Sequence, residues 1–552
     1  MKNKNEYLAS ALEKLHSKNE DFIMIGLTGR TGSGCTTAAS ILSSDKDAIE
    51  HSLFKAEVAK DNPQRKERIL NQFYEKNWQP FTHLRVSSVL TLMLLDVGNI
   101  KPVEAFLKKQ ESIRKADLDF LLTSHSTLIS NKASMSKNDF YIKYLSGLTE
   151  QIREKLEEAS FVKLYQLLGK NARRSGNVTD SAMSNGAFFS IAQKINEISD
   201  LLHTENKGEG KSTYIAVDAI RSPLEASYFQ ERYSSFYLLA ISCTEDIRKN
   251  RLLKKGLSSE SIEQIDKNEY SSLDLNNEQS FTDQDIQGCL QRADIYIDSS
   301  DDKEESVEKS LANQLIKFVC LAQKPGLITP SPAERCMQVA YTSKLNSGCL
   351  SRQVGAVVTN QNYSIKAVGW NDAPYGQVPC NLRSIEEVTA KKDLIAYSPF
   401  ELKDSEFQER IGIKAAKFKA IESKGYNHSY CFKSEYNAIK GDRNQVHTRS
   451  LHAEENAFLQ VSKDGGSGVN GGFLFTTASP CELCAKKAYQ LGMTKVFYID
   501  PYPGISMDHI LTSGVEKQRP EMVLFNGAIG RAFHNLYTPI APYKDELSAL
   551  IP

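Results

Sequence analysis

Short apolar runs alternate along the chain with stretches in which apolar residues recur three and four positions apart. The runs indicate buried strands and the stretches indicate helices. In the first half, the strand-like runs cover residues 22–27, 214–218, 236–241 and 293–298. Helical periodicity dominates residues 50–205, which we expect to form a large helical insertion. Strands separated by helices predict a parallel α/β sheet.

A Lys-Pro-Gly segment at 324–326, followed by Pro330 and Pro332, predicts a domain boundary. We expect a first domain over 1–325 and a second over 326–552. The second shows a helix over 333–345, strand-like runs at 354–358, 365–369 and 473–476, and helices that open at His452 and Cys481. Residues 381–446 lack clear periodicity, so we treat them as an insertion.

Composition excludes several classes of protein. The 552 residues carry 68 Lys+Arg and 68 Asp+Glu, so the net charge is zero, unlike that of proteins that follow a nucleic-acid backbone. The N-terminal residues are polar and lack the apolar central region typical of a signal peptide, and no later apolar run approaches the roughly 20 residues that span a bilayer. We expect a cytoplasmic protein without membrane contacts. In a reducing compartment, the 10 cysteines suggest metal ligands and buried thiols rather than disulfides.

The strongest chemical signal is a His-x-Glu motif followed by Pro-Cys-x-x-Cys. The histidine is His452 and the cysteines are Cys481 and Cys484. One imidazole and two thiolates fill three of the four tetrahedral positions of zinc and leave the fourth for water. The same signature marks the zinc deaminases of nucleobases. A structural zinc knuckle or a redox pair is the alternative, but a knuckle needs four ligands.

Glu454 lies two residues after the histidine, at the predicted start of a helix. Zinc lowers the pKa of its bound water, so hydroxide becomes available near neutral pH. A carboxylate at this position can accept the proton of that water and pass it to the ring and the leaving amine. We therefore predict Glu454 to be the catalytic acid and base, and zinc the catalytic metal.

Residues 351–358 and 367–376, with Cys380, resemble the deoxycytidylate deaminase family, whose fold is an α/β/α sandwich. By that resemblance, Asn371 binds the deoxyribose 3′-hydroxyl and Arg352 lies near the substrate phosphates. The chain departs from the family pattern at three positions that affect the expected sugar and phosphate geometry: Ser351 replaces Arg, Trp370 replaces Tyr and Asp372 replaces Gly.

The same resemblance suggests a second, structural zinc. Some deoxycytidylate deaminases hold one at positions similar to Cys349, Cys380 and His447, and either Cys431 or His428 would supply the remaining ligand. The alternative is that these cysteines are buried free thiols.

A Gly-rich segment, 29–36, follows the first strand and opens a helix, as in a phosphate-binding P-loop. We expect Gly29, Gly32, Gly34 and Thr36 to bind a nucleotide phosphate. Cys35 replaces the usual lysine, which weakens phosphoryl transfer more than binding. Residues 217–223 and 246–251 resemble the Walker-B-like strand and the arginine-bearing lid of nucleotide and dephospho-coenzyme-A kinases. A kinase-like domain retained as a scaffold is the alternative.

A P-loop kinase-like half joined to a deoxycytidylate-deaminase-like half resembles the bacterial anti-phage dCTP deaminases. Members of that group deaminate dCTP, and often dCMP, and thereby drain the nucleotide pool that a phage needs. Some are held inactive by a small antitoxin RNA, which would make the N-terminal half regulatory. The resemblance also favours a homo-oligomer.

Two other functions use the same features. A deaminase of cytosine or adenine in a polynucleotide carries the same motif, although zero net charge argues against it. A regulatory nucleotide- or RNA-binding protein with a vestigial deaminase fold is the third hypothesis, and the intact His-x-Glu argues against it.

Overall fold

The computed structural model describes residues 11, 21–110, 113–269, 282–301, 304–442, 446–463, 465, 468–499 and 507–550. The sequence also predicts a short amphipathic helix over 7–18, which lies almost wholly outside these residues. By contacts between residues, the chain forms two units. The first comprises Met1–Thr329 and Arg531–Pro552, and the second comprises Pro330–Gly530.

The first unit is built on a parallel sheet whose strands have the order β5-β4-β1-β3-β2. The strands are β1 (Phe22–Thr28), β2 (Thr82–Arg85), β3 (Thr213–Asp218), β4 (Phe236–Ser242) and β5 (Ile295–Asp298). Every neighbouring pair is parallel. The strands β1, β3 and β4 are buried along nearly their whole length, as in sheets covered on both faces. The parallel sheet expected from the apolar runs is therefore present.

Helices make up most of the rest of the first unit. They are α1 (Cys35–Ser43), α2 (Asn62–Asn77), α3 (Val86–Leu95), α4 (Lys101–Leu107), α5 (Lys115–Ser134), α6 (Leu145–Leu156), α7 (Glu158–Ser175), α8 (Ser190–Gly208), α9 (Pro223–Arg232), α10 (Glu245–Lys254), α11 (Ser259–Glu269), α12 (Ile286–Arg292) and α13 (Glu304–Gln323). Residues 50–205 are mainly helical, as expected, but they also contribute strand β2, whose four residues show no strand-like alternation.

The C-terminal residues 531–552 belong to the first unit by contacts, whereas the sequence assigned everything after 325 to the second domain. Two C-terminal helices, α21 (Gly530–Tyr537) and α22 (Tyr543–Leu550), make the contacts that account for this difference. The N–H of Gly326 donates to the carbonyl of Leu536 at 2.9 Å, and Lys324 pairs with Glu546. Long-range contacts of this kind leave no periodic signal in a sequence.

The second unit contains a five-stranded sheet of order β10-β9-β8-β6-β7. Its strands are β6 (Gly355–Thr359), β7 (Ile365–Trp370), β8 (Phe473–Thr476), β9 (Lys495–Tyr498) and β10 (Glu521–Leu524), and a two-residue strand, β11 (Gly527–Ala528), follows. Strand β6 is antiparallel to β7 and β8, whereas β8, β9 and β10 are mutually parallel.

The helices of the second unit are α14 (Pro332–Ser343), α15 (Ile385–Ala390), α16 (Pro399–Lys403), α17 (Ser405–Phe418), α18 (Phe432–Lys440), α19 (Ala453–Lys463) and α20 (Glu482–Gln490). Gly355 faces α14 and Gly369 faces α19. Gly369 pairs with Ala356, the residue after Gly355, and successive strand residues point to opposite faces. The sheet therefore lies between α14 and α19, so this part of the unit is a three-layer α/β/α arrangement.

The insertion expected over 381–446 forms helices α15–α18 and has its own apolar core. The core residues are Ile385, Val388, Ala396, Tyr397, Leu402, Phe407, Ile411 and Tyr430. Short helices and aromatic side chains build this core, which explains the weak periodicity of the segment. Among the described residues, no helix has both the length and the apolar character needed to cross a membrane.

Gly369 sets the contact between β7 and α19, and we expect Gly369→Ala to destabilise the protein. A Cβ atom there would lie 2.2 Å from the carbonyl oxygen of Ala453 and 2.4 Å from the nitrogen of Ala457, both backbone atoms. Overpacking of this kind costs about 1–3 kcal/mol. Thermal unfolding checks this, with Gly412→Ala as the control because open space surrounds that position. Equal midpoints for both variants would contradict the prediction.

Candidate active site

Three potential metal ligands meet at the starts of two helices in the second unit. His452 immediately precedes α19, and Cys481 and Cys484 lie at the N-cap and in the first turn of α20. The Nδ1 atom of His452 is 3.1 Å from the Sγ of Cys481 and 3.5 Å from the Sγ of Cys484. Within the described ranges, this is the one group of at least three His, Cys, Asp or Glu side chains whose ligand atoms converge within 4.8 Å.

This donor set fits zinc. Tetrahedral nitrogen and sulfur ligands at normal bond lengths lie about 3.5 Å from one another, close to the two N–S separations here. Two thiolates and one imidazole leave one coordination position open, as in catalytic rather than structural sites. The predicted ligands are therefore brought together by the fold.

The three ligands also perturb one another's protonation. The hydrogen bond with Cys484, aided by His452, lowers the pKa of the Cys481 thiol. The hydrogen bond with Cys481 raises the pKa of His452. The thiolate form of Cys481 is therefore favoured here, and a bound metal ion would deprotonate both thiols.

Glu454 lies in the first turn of α19 and is 4% exposed. Its Oε1 accepts a hydrogen bond from the Oγ1 of Thr476, at the end of β8, at 3.0 Å. Burial raises the pKa of its carboxyl. The nearby charge of Cys481 raises this pKa further, and that of His452 lowers it. The neighbouring Glu455 pairs instead with Lys487. Glu454 is thus the carboxyl group held in the interior beside the ligands.

The side chain of Asn371 supports the loop that precedes β6. Its Nδ2 donates to the carbonyl of Arg352 at 2.7 Å, and its Oδ1 accepts from the N–H of Val354 at 2.7 Å. Asn371 itself begins the loop that follows β7, here called the Asn371 loop. The N–H of Leu451 donates to the carbonyl of Asp372 in this loop at 2.9 Å, so the Asn371 loop lies beside the residue before His452. Contacts of Asn371 and Arg352 with a substrate stay predictions.

The residues expected at a second zinc do not form a convergent set in the described part of the chain. Burial, together with the nearby thiols of Cys431 and Cys349, raises the pKa of the Cys380 thiol. However, His447 lies 3.4 Å from Asp442, and His428 pairs with Glu386 and stacks on a phenylalanine ring. The donor geometry gives no support to a second zinc.

Two residues of this site carried no recognised signal in the sequence. Thr476, which orients Glu454, ends an ordinary apolar strand. Arg449 precedes His452 by three residues, and its guanidinium contacts Glu401 of the insertion and Gln377 of the Asn371 loop. The position of Arg449 next to the zinc motif was the one available clue to it.

The Gly-rich loop of the first unit joins β1 to α1, so the strand, turn and helix predicted there are present. Gly32 and Gly34 have φ angles of 91° and 111°, a region that L-residues rarely adopt. Cys35 is buried, and desolvation raises the pKa of its thiol to about 12. The position of the usual lysine is therefore neutral.

A carboxylate of the protein itself lies against this loop. The N–H of Thr31 is 3.2 Å from both carboxylate oxygens of Glu269, at the end of α11, and the Thr31 hydroxyl also donates to it. Arg221 pairs with the same carboxylate at 2.6 Å, and Glu269 is fully buried. Phosphate binding by Gly29, Gly32, Gly34 and Thr36 stays a prediction, and no sequence motif indicated Glu269.

Acidic residues of the neighbouring helices neutralise the other arginines near the loop. Arg30 pairs with Glu245 and Asp266, and Arg248 pairs with the same two carboxylates. Arg248 also donates to the carbonyl of Thr31 at 3.1 Å. Of the arginines in the expected lid, Arg248 is thus charge-balanced within the protein, whereas Arg251 donates to the carbonyl of Ser299 at 2.6 Å.

Comparison with known proteins concerns the second unit. Residues 330–500 match the family model described as the cytidine and deoxycytidylate deaminase zinc-binding region. The chain is 29% identical to the deoxycytidylate deaminase of Enterobacteria phage T2 over 189 residues, which are 33% of this chain and 89% of the relative. The deoxycytidylate deaminase of Enterobacteria phage T4 is 28% identical over 188 residues, 33% of this chain and 87% of that protein.

A solved structure of the dCMP deaminase from cyanophage S-TIM5, in complex with dCMP and dUMP, is 24% identical and has a TM-score of 0.22. The match covers 36% of this chain and 99% of that one. The match to the family model and the phage T2 and T4 relatives agree with the His-Cys-Cys geometry. The family model and the phage relatives therefore support a cytidine and deoxycytidylate deaminase domain in the second unit, with His452, Cys481 and Cys484 as its candidate zinc ligands.

Proposed function

We propose that this chain is a zinc-dependent deaminase of free deoxycytidine nucleotides, dCTP and dCMP. Water and the nucleotide would yield the deoxyuridine nucleotide and ammonia. The observation that carries the proposal is the convergence of His452, Cys481 and Cys484 beside the buried Glu454. A structural zinc site has no use for a buried carboxyl at this position, whereas hydrolytic deamination requires one.

The residues divide the reaction between them. His452, Cys481 and Cys484 would hold zinc, which when bound acidifies a water molecule near the base. Glu454 takes one proton from the attacking water as the water oxygen bonds to C4 of the cytosine, and it delivers that proton to the ring N3. It then takes the second proton of the same oxygen and passes it to the amino group, the C4–N bond breaks, and ammonia leaves. Thr476 holds Glu454 in position through its hydrogen bond.

Free nucleotides are favoured over a polynucleotide as the substrate. The net charge of zero gives the chain no overall attraction to a nucleic-acid backbone. The phage relatives are named deoxycytidylate deaminases. The side chain of Asn371 donates to the backbone carbonyl of Arg352. These two residues are the proposed contacts to the sugar and to the phosphates.

On the resemblance to anti-phage dCTP deaminases, we also propose that the protein acts against phage in the cell. Conversion of dCTP would deplete the pool from which a phage copies its DNA. In this scheme, the first unit is regulatory and responds to a nucleotide or to a small antitoxin RNA, and the chain forms a homo-oligomer. The charge-balanced Gly-rich loop suits a regulatory role better than phosphoryl transfer.

A substrate screen tests the proposal. The purified protein, loaded with zinc, is incubated with dCTP, dCMP, CTP, deoxycytidine and a cytosine-containing oligonucleotide, and ammonia and the uridine products are measured. We expect turnover of dCTP and dCMP, and little or no turnover of the oligonucleotide. Preferential deamination of the oligonucleotide would favour the polynucleotide hypothesis. No turnover of any substrate by zinc-loaded protein would favour the vestigial one.

A further inference from the structure

A buried ion pair lies at the centre of the insertion in the second unit. Arg383 and Glu401 pair with each other, and both side chains are fully buried. The hydroxyl of Tyr430 donates to the Oε1 of Glu401 at 2.7 Å, and the Oε2 of Glu401 accepts from the N–H and the hydroxyl of Ser398, both at 2.9 Å. These contacts fix the Glu401 carboxylate inside the core of the insertion.

Arg449 is a second guanidinium at the same carboxylate. Its Nη1 is 3.3 Å from the Oε2 of Glu401, and its Nη2 is 3.4 Å from the Oε1 of Gln377. Both are long contacts, and its buried Nε has no hydrogen-bond partner among the described residues. One carboxylate therefore faces two arginines and is engaged more closely by Arg383. The positive charge of Arg449 is only partly compensated, although its side chain is just 16% exposed.

The position of Arg449 connects this charge to the deaminase site. Arg449 precedes His452 by three positions, and that length of chain spans at most about 11 Å. The base and the phosphate of a bound nucleotide are separated by the sugar, over a comparable distance. Its partner Gln377 belongs to the loop that begins at Asn371, and Leu451 bonds to Asp372 of that loop. Arg449 thus lies where the insertion, the Asn371 loop and a zinc ligand come together.

We propose that Arg449 binds the phosphate of the substrate and that the insertion holds it in place through Glu401. This inference rests on the proposed deamination of deoxycytidine nucleotides. A guanidinium presents several N–H donors in one plane and binds phosphate through paired hydrogen bonds. The substrate phosphate would complete the hydrogen bonding of Arg449 and balance the positive charge that Arg449 adds beside the buried pair. Together with Arg352, it would provide two cations for a polyphosphate.

The test compares substrates with and without a phosphate. For Arg449→Gln, we expect kcat/KM for dCMP and dCTP to fall about 10–100-fold, mainly through KM, because a charge-assisted hydrogen bond is lost. Turnover of deoxycytidine, which lacks the phosphate, should stay within about twofold of the wild type. Arg410→Gln is the matched control, since that arginine of the insertion pairs with Glu435, and it should alter none of these values.

If wild-type turnover of deoxycytidine is too slow to measure, inhibition by inorganic tripolyphosphate during dCMP turnover replaces it. Arg449→Gln should then raise the inhibition constant by the same 10–100-fold, whereas Arg410→Gln should leave it unchanged. Equal losses on all substrates, or an unchanged inhibition constant, would overturn the inference and leave Arg449 a structural residue. If the wild type deaminates no deoxycytidine nucleotide, the proposed function itself fails instead.

Discussion

Glu454→Gln is expected to lower kcat by about 10²–10⁴-fold, the usual contribution of a general acid and base. Glutamine keeps the shape of the side chain and can still accept the hydrogen bond from Thr476, but it cannot accept and return a proton. The zinc ligands are unchanged, so the metal content should remain that of the wild type. Steady-state deamination of dCMP and dCTP, with zinc measured by mass spectrometry, provides both readouts.

The control for this variant is Glu521→Gln, which changes an exposed glutamate of the same unit that pairs with Lys495. It should retain wild-type turnover. If Glu454→Gln also retained wild-type turnover, proton transfer would have to be assigned to another group. If Glu454→Gln lost zinc together with activity, the kinetic result would not isolate proton transfer, and the assigned role of Glu454 would be withdrawn.

Cys484→Ser should abolish both zinc binding and deamination. Cys484 is buried, and its sulfur lies 3.5 Å from the Nδ1 of His452, so a serine there leaves two zinc ligands instead of three. A catalytic site needs three protein ligands. The measurements are the zinc content per chain, expected to fall from about one to near zero, and the deamination rate after addition of zinc.

A second buried thiol gives the matched control. Cys336 lies in α14 and donates to the carbonyl of Tyr363 at 3.7 Å, a role that a serine hydroxyl can fill. Cys336→Ser should therefore keep both zinc and activity. Cys484→Ser that bound zinc and turned over at the wild-type rate would refute the ligand assignment.

The sequence predicted best what depends on neighbouring residues. The candidate zinc ligands lie at the starts of two helices, and each belongs to a short sequence motif. The spacing within these motifs was therefore enough to indicate the site. The parallel strands of the first unit were visible as apolar runs because a sheet covered on both faces needs no polar alternation. Strand β2, with its four residues, carries too little apolar character to be recognised.

Long-range contacts were the part that the sequence could not provide. Thr476 is 22 positions from Glu454, and Glu269 is 238 positions from Thr31. The proposed role of Arg449 rests on two arginines that meet the single carboxylate of Glu401. That arrangement exists only in the folded insertion. No local pattern encodes such pairings, because each residue looks ordinary among its neighbours.

The carboxylate of Glu269 at the Gly-rich loop has a thermodynamic consequence for any ligand of the first unit. A phosphate that enters this loop must displace an anion tethered to the same chain. Its apparent dissociation constant is therefore its intrinsic value divided by the fraction of molecules in which Glu269 has left. Because that carboxylate is paired with Arg221, the open fraction depends on how often this ion pair breaks. Ligand binding is then thermodynamically coupled to release of Glu269, the last residue of α11, from the loop.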